Sequence, residues 1–165
     1  MAKVILKLGD DVSTDIIYPG RYMATVLPSE TPQFAFADNT EFNAKLRRKE
    51  VPAGSVIVAG KNFGCGSSRE QAAACLKSAG VTAVVARSFA RIYFRNAINL
   101  GLAVLQCDEA VDALEKGDTV DLDFARGEIH SAKGTFQFLP LPESVIGILE
   151  AGGLLEYTRK KLVKE

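Results

Sequence analysis

Apolar and polar positions alternate in three different ways along the chain, and the middle third is the most regular. SVIVAG (residues 55–60) and VTAVVA (81–86) are short, unbroken apolar runs rich in β-branched residues. They are too short for helices, and read as strands buried on both faces. Between them, REQAAACLKSAG (69–80) places Ala72, Ala73, Leu76 and Ala79 on one small helical face, with Gly80 as its C-terminal stop. These segments predict a βαβ unit with parallel strands and a right-handed crossover. SFARIYFRNAINLG (88–101) predicts a further helix ended by Gly101, LAVLQC (102–107) a strand, and DEAVDALEKG (108–117) a short helix opened by Asp108 and closed by Gly117.

Both ends of the chain change style. AKVILKLG (2–9) predicts a first strand, but residues 11–53 have little periodicity and contain Pro19, Pro28, Pro32 and Pro52. This stretch reads as a long loop with one helix near TEFNAKLRRK (40–49), and a loop of that length in a compact domain is usually functional. DTVDLDFARGEIHSAKGTFQFLP (118–140) predicts antiparallel strands turning at Arg126 and Gly127, and PESVIGILEAGG (142–153) a helix with Pro142 in its first turn. The fold class is therefore α/β, with a central, mostly parallel βαβ portion and antiparallel strands near the C-terminus.

Composition narrows this picture. With 165 residues, 47% of them hydrophobic, the chain closes one good core and is too short for two independent ones, so a single domain spanning residues 1–165 is expected. Twenty basic and twenty acidic side chains cancel, so charge offers no argument for nucleic acid or an anionic membrane as partner. The opening MAKVILKLGDD turns acidic before any apolar stretch long enough for a signal peptide, and no run of 18 apolar residues occurs. These features predict a soluble cytoplasmic protein. The three cysteines are odd in number and widely spaced, with no C-x-x-C pair, which disfavours a disulfide framework or a metal knuckle. Cys75 and Cys107 read as buried thiols, Cys65 as a turn residue, and the lone His130 as a hairpin residue rather than a ligand or base.

Candidate chemistry concentrates in KNFGCGSSRE (61–70), which joins the carboxyl end of a strand to the amino end of a helix, where α/β folds bind ligands. Ser67 and Glu70 match S-x-x-E, so Ser67 could be only a helix cap in a capping box. Gly64 and Gly66 supply G-x-G, but Arg69 stands where a dinucleotide loop wants its third glycine, and neither a P-loop nor G-x-S-x-G is present. A helix N-terminus together with Arg69 suits a carboxylate. A serine surrounded by backbone amides at such a site could serve as an alkoxide base. On the residues alone, a cap, a catalytic serine and a free-standing anion- or nucleotide-binding module all remain open.

GCGSSREQAA, together with GDDVSTDIIYPGRY near the start and SFARIYFRNAINLGL after the second central strand, resembles the small subunits of the 3-isopropylmalate dehydratase family, the swivelling domain of the aconitase superfamily. The resemblance covers most of the chain. It implies a three-layer β/β/α domain that joins a large subunit in a heterodimer or heterotetramer and acts on a small dicarboxylate. It implies a hydro-lyase that interconverts 2-isopropylmalate and 3-isopropylmalate in leucine biosynthesis, with homoaconitase and dimethylmalate or citramalate dehydratase small subunits as alternatives. By this resemblance Ser67 is the catalytic base, Ser68 and Gly66 shape an amide pocket, and Arg69 grips a substrate carboxylate. Thr14 and Asp15 face the active site, and Arg21 lies on the loop that reads the substrate. Arg91 faces the same region, with a structural ion pair favoured for it. Tyr22, Met23, Ala24 and Thr25 form the specificity segment. Homoaconitase-like members tend to carry an arginine where this chain has Ala24, so an alkyl-bearing substrate is expected. The family's four-iron iron–sulfur cluster needs three thiolates, so it is expected on the large subunit, with no metal or cofactor bound by this chain.

Overall fold

The computed structural model describes residues 1–164. Its elements are β1 (Ala2–Lys7), α1 (Thr14–Ile17), α2 (Thr40–Arg47), β2 (Ser55–Val58), α3 (Glu70–Ser78), β3 (Val81–Ala86), α4 (Arg91–Asn99), β4 (Ala103–Gln106), α5 (Asp108–Ala113), β5 (Thr119–Asp123), β6 (Glu128–Ser131), β7 (Gly134–Gln137), α6 (Glu143–Ala151) and α7 (Leu154–Lys164). One sheet runs in the order β4-β3-β2-β1-β5-β6-β7. The first four strands are mutually parallel, and β5 to β7 are antiparallel to their neighbours.

The parallel strands are unbroken apolar runs because each of their faces has its own cover. Ile57, Val84 and Val104 belong to a core shared with α2, α3 and α4, while Val56, Val58, Ala83, Val85, Ala103 and Leu105 belong to a second core closed by α5 and the β5–β7 ribbon. Ribbon, parallel sheet and helices thus form three layers, as the resemblance implied. On β1 the alternation breaks. The register against β2 slips between Val4 and Leu6, which puts Ile5 and Leu6 into the helix-side core together. β1 is also the seam of the sheet, pairing with β2 on one side and with β5 through Ala2–Val120 and Lys3–Thr119 on the other.

Residues 11–53 contain more order than their periodicity shows. Besides α1 and α2 they form 3-10 turns at Gly20–Tyr22 and Thr31–Phe34, tied together by Tyr22 stacked on Phe34 at 4.2 Å and Tyr18 edge-on to the same ring. The C-terminal helix α7 lacks a sequence signature because Leu155, Leu162 and Val163 all face solvent. No helix among the described residues is long and apolar enough to cross a membrane.

Candidate active site

The site is assembled beyond the carboxyl ends of β1, β2 and β3, where three loops continue side by side. Gly64 N donates to Val12 O at 2.8 Å and Thr14 N to Cys65 O at 2.8 Å, while Phe63 N donates to Ser88 O at 3.0 Å and Ala90 N to Phe63 O at 2.9 Å. The chain through residues 63–65 is therefore clamped between the other two loops. Gly64 takes φ +83°, and a Cβ there would lie 2.2 Å from Cγ of Tyr93. Only glycine lets the first turns of α4 approach so closely. Tyr93 is 2% exposed, and its hydroxyl donates to Ala72 O on α3 at 3.0 Å, which locks α3, α4 and the turn to one another.

Two helices begin here without side-chain caps. α3 starts at Glu70 after Arg69, and α4 starts at Arg91 after Ala90; neither flanking side chain caps its helix. The capping-box reading of Ser67 and Glu70 is thereby corrected. Ser67 lies two residues ahead of the N-cap, because Gly66 turns the backbone at φ +96° and the Ser67 carbonyl accepts a bond from the buried Thr14 hydroxyl instead, at 2.7 Å. Both helix ends open on a cavity of about 200 Å³ lined by Thr14, Gly66, Ser67, Arg69, Arg91 and Asn96, with Ser68 alongside. Each uncapped end carries roughly half a positive charge, so the cavity favours anions. Gly66, Ser67 and Ser68 are exposed at its mouth.

The remaining residues of the STDIIYPGRY motif divide into two groups. Thr14 is 2% exposed and acts on the cavity through Ser67, while Ser13 caps α1 by accepting from Ile16 N. Asp15 Oδ1 accepts from Arg69 Nη1 at 2.7 Å and from Gly20 N at 2.9 Å, and Arg69 Nη1 also donates to Tyr18 O at 3.0 Å. The Arg69 hydrogen bond, then that of the Gly20 amide, holds the Asp15 carboxyl below its usual range. Arg69 is the more enclosed partner, its side chain 17% exposed against 66% for Asp15. Arg21, by contrast, turns to Asp38 and lies over the Tyr22 ring, with its guanidinium carbon 4.8 Å from the ring centre. Residues 22–25 are tied to α3 by Gln71 Nε2, which donates to Met23 O, and to the end of α1 by the Tyr18 hydroxyl, which bonds the carbonyls of Tyr22 and Thr25. Arg21, Tyr22, Met23, Ala24 and Thr25 do not line the cavity at Ser67. Met23, Val26, Leu27, Ile16 and Ile92 expose large apolar side chains on the loop, α1 and the start of α4.

Arg91 differs from expectation. The ion pair favoured for it does not occur, and among the described residues its guanidinium meets no carboxylate and makes no hydrogen bond. Asn96 and Tyr93 also line the cavity and were missed, although both lie within two turns of Arg91 on the same predicted helix.

The cysteines do not suit an iron–sulfur cluster. Cys75 lies in the helix-side core, where burial pushes its thiol far above the usual range, and Cys107 lies in the core on the opposite face of the sheet. Cys65 is half-buried in the turn. Three thiolates cannot converge from these places. Among the described residues the one close group of metal-capable side chains is Asp123, Glu128 and His130 on the β5–β6 hairpin, without sulfur. There His130 Nε2 lies 3.1 Å from Glu128, and its Nδ1 lies 3.1 Å from the Thr135 hydroxyl.

Known proteins resemble the chain in sequence and in fold. The aconitase C-terminal domain family matches residues 13–110. A 3-isopropylmalate dehydratase small subunit from Caldicellulosiruptor bescii is 45% identical over 162 residues, covering 96% of this chain and 95% of the relative. The one from Methanosarcina acetivorans is 47% identical over 162 residues, covering 96% of each chain. The crystal structure of a 3-isopropylmalate dehydratase chain from Methanocaldococcus jannaschii superposes with a TM-score of 0.86 at 42% identity, over 98% of this chain and 95% of that one. With near-complete coverage in both directions and the GCGSSRE turn inside the matched region, the chain belongs to the aconitase C-terminal domain family, among the small subunits of 3-isopropylmalate dehydratase.

Proposed function

We propose that the chain, as one folded unit over residues 1–165, supplies half of the active site of a cytoplasmic hydro-lyase that interconverts 2-isopropylmalate and 3-isopropylmalate in leucine biosynthesis. The observation that carries this reading is Ser67, exposed at the mouth of a small cavity into which two uncapped helix ends, Arg69 and Arg91 converge. Ser67 takes a proton from the carbon beside a substrate carboxylate. The hydroxyl on the adjacent carbon departs with a proton from a general acid that the partner subunit must supply, giving an alkene and water, and readdition in the opposite sense, with Ser67 returning its proton to carbon, completes the isomerisation. The helix ends stabilise the serine alkoxide and the carboxylate beside it, since fixed dipoles act most strongly where water is excluded. Arg69, oriented by Asp15, presents its remaining donors to that carboxylate, and Thr14 fixes the Ser67–Ser68 peptide so that the Ser68 amide keeps its direction.

The site is open, and an open serine is screened by water. A second chain must close it. A large subunit carrying the four-iron iron–sulfur cluster fits that need, because the thiols here lie on opposite faces of the sheet. Uncharged Ala24 in the exposed loop favours an alkyl group over a third carboxylate, since an unpaired buried charge costs more than burial of an isopropyl group contributes, about 2 kcal/mol.

Reconstitution tests the proposal. The purified chain should be inactive alone and active when mixed anaerobically with an iron-loaded large subunit. Ser67→Ala should lower kcat of the pair by roughly a hundredfold to ten-thousandfold, with unfolding unaltered because its side chain caps nothing. Near-normal turnover by Ser67→Ala, or activity of the lone chain, would remove Ser67 from the base role or the partner from the site.

A further inference from the structure

Charge around the cavity is not balanced as the serine and Arg69 alone would require. Arg21, Arg48, Arg69, Arg87, Arg126 and Arg159 each face a carboxylate, and Arg47 bonds the amide of Asn43. Among the described residues only Arg91 and Arg95 have no such partner, and of these only Arg91 lines the cavity that holds Ser67. Arg69, the arginine assigned to grip the substrate, is already neutralised by Asp15, with one guanidinium nitrogen shared between that carboxylate and the Tyr18 carbonyl.

We propose that Arg91, at the first position of α4, is a second substrate-binding arginine, holding the carboxylate that Arg69 does not. The assignment rests on the reading of the Ser67 cavity as the site for a malate-class dianion. That ligand carries two negative charges. The Arg69–Asp15 pair offsets neither, whereas the uncompensated guanidinium of Arg91 and the two uncapped helix ends together bring about two positive charges to one cavity. The position is also suited to grip. The first turn of α4 is held by Tyr93, buried against Gly64 and bonded to α3, so the backbone that carries Arg91 is fixed while the guanidinium is free to close on a ligand. Arg91 and the α4 amides thus approach one carboxylate from one side of the cavity, and Arg69 and the α3 amides approach the other from the opposite side. A planar guanidinium can meet a carboxylate with two parallel bonds, which an ammonium cannot.

The test uses the reconstituted two-subunit enzyme at saturating large subunit. Arg91→Gln should raise KM by about tenfold to a hundredfold, and Arg91→Lys should recover only part of that loss. Inhibition supplies a second readout. The wild type should favour a dicarboxylate over the monocarboxylate of the same skeleton, and Arg91→Gln should collapse that ratio, whereas a merely structural role would leave it unchanged. The thermal transition of the lone Arg91→Gln chain should match wild type, because the side chain holds no other part of the protein. An unchanged KM and an unchanged inhibition ratio would overturn the assignment, and so would a variant whose only defect is weaker association with the large subunit. If Ser67→Ala instead retains turnover, the failure lies in the reading of the cavity; if Ser67→Ala is dead and Arg91→Gln behaves as wild type, only the role of Arg91 falls.

Discussion

Gly64→Ala separates backbone strain from packing at the site. At Gly64 the backbone has φ +83°, and the added Cβ would meet Tyr93 at 2.2, 2.4 and 2.7 Å from its Cγ, Cβ and Cδ1. Tyr93 cannot swing aside, since its hydroxyl is bonded to Ala72 O and its ring packs edge-on to Phe63 with centres 5.3 Å apart. Placing a Cβ in the left-handed region costs about 1 kcal/mol, and forcing extra volume into a filled core costs about 1–3 kcal/mol more. Gly117 is the matched control, with φ +98° and nothing within 4 Å of an added Cβ, so Gly117→Ala should show the backbone component alone. In a domain of this size 1 kcal/mol moves Tm by about 2–4 °C, so the control should fall by a few degrees and Gly64→Ala by roughly 5–15 °C from the combined cost. Circular dichroism melts and urea titrations measure both, and the excess at Gly64 should shrink in a Tyr93→Ala background, because contacting sites couple. Equal losses for the two alanine variants, within about 0.5 kcal/mol, would show that the turn yields without cost and that Gly64 does not fix the first turn of α4.

Two further outcomes concern Asp15 and Ala24. Asp15 is held below its usual range by Arg69 first and the Gly20 amide second, so its pairing contributes stability above the unfolded carboxylate value near about 3.9 and loses it as pH falls through the folded value. Asp15→Asn should therefore lose less stability than wild type as the pH drops from 5 to about 2; parallel acid limbs in urea titrations would refute that linkage. Ala24→Arg should raise kcat/KM for homoaconitate relative to 3-isopropylmalate in the reconstituted pair, and an unchanged ratio, or a wild type that already prefers the tricarboxylate, would remove the specificity role from residues 22–25.

What the sequence revealed depended on how far apart the cooperating residues stand. β2, α3, β3, α4 and β4 were legible because each is a local pattern, the two helices stopping just before Gly80 and Gly101, and residues 61–70 stood out as a candidate site from their place between strand and helix. The bonds that decide what Ser67 and Arg69 do come from Thr14 and Asp15, more than fifty positions away. A capping motif therefore matched in sequence and failed in space. Arg91 shows the same limit, since whether a guanidinium is paired depends on the packing of other elements. The order within residues 11–53 rests on aromatic stacking and side-chain bonds to carbonyls, neither of which leaves a period. α7 carries its leucines toward solvent, so no buried face announced it.

The seam at β1 has a bearing on how the chain is made. Its inner neighbour, β2, lies about fifty residues downstream, and the carbonyl and amide of Val4 on the other side wait for Gly117 and Asp118. At a ribosomal pace of about 5–20 residues per second, β1 remains without its second neighbour for roughly 5–20 s after it is made. Meanwhile β2 to β4 and their helices can close by themselves from contacts near in sequence, the kind that form fastest. β1 is thus made before both of its partners and is among the last strands to be locked, and through that interval it offers an apolar edge to whatever lies nearby. A chaperone that shields the newborn chain would act most usefully on β1, and a ribosome stalled before residue 117 would leave a sheet with one open side.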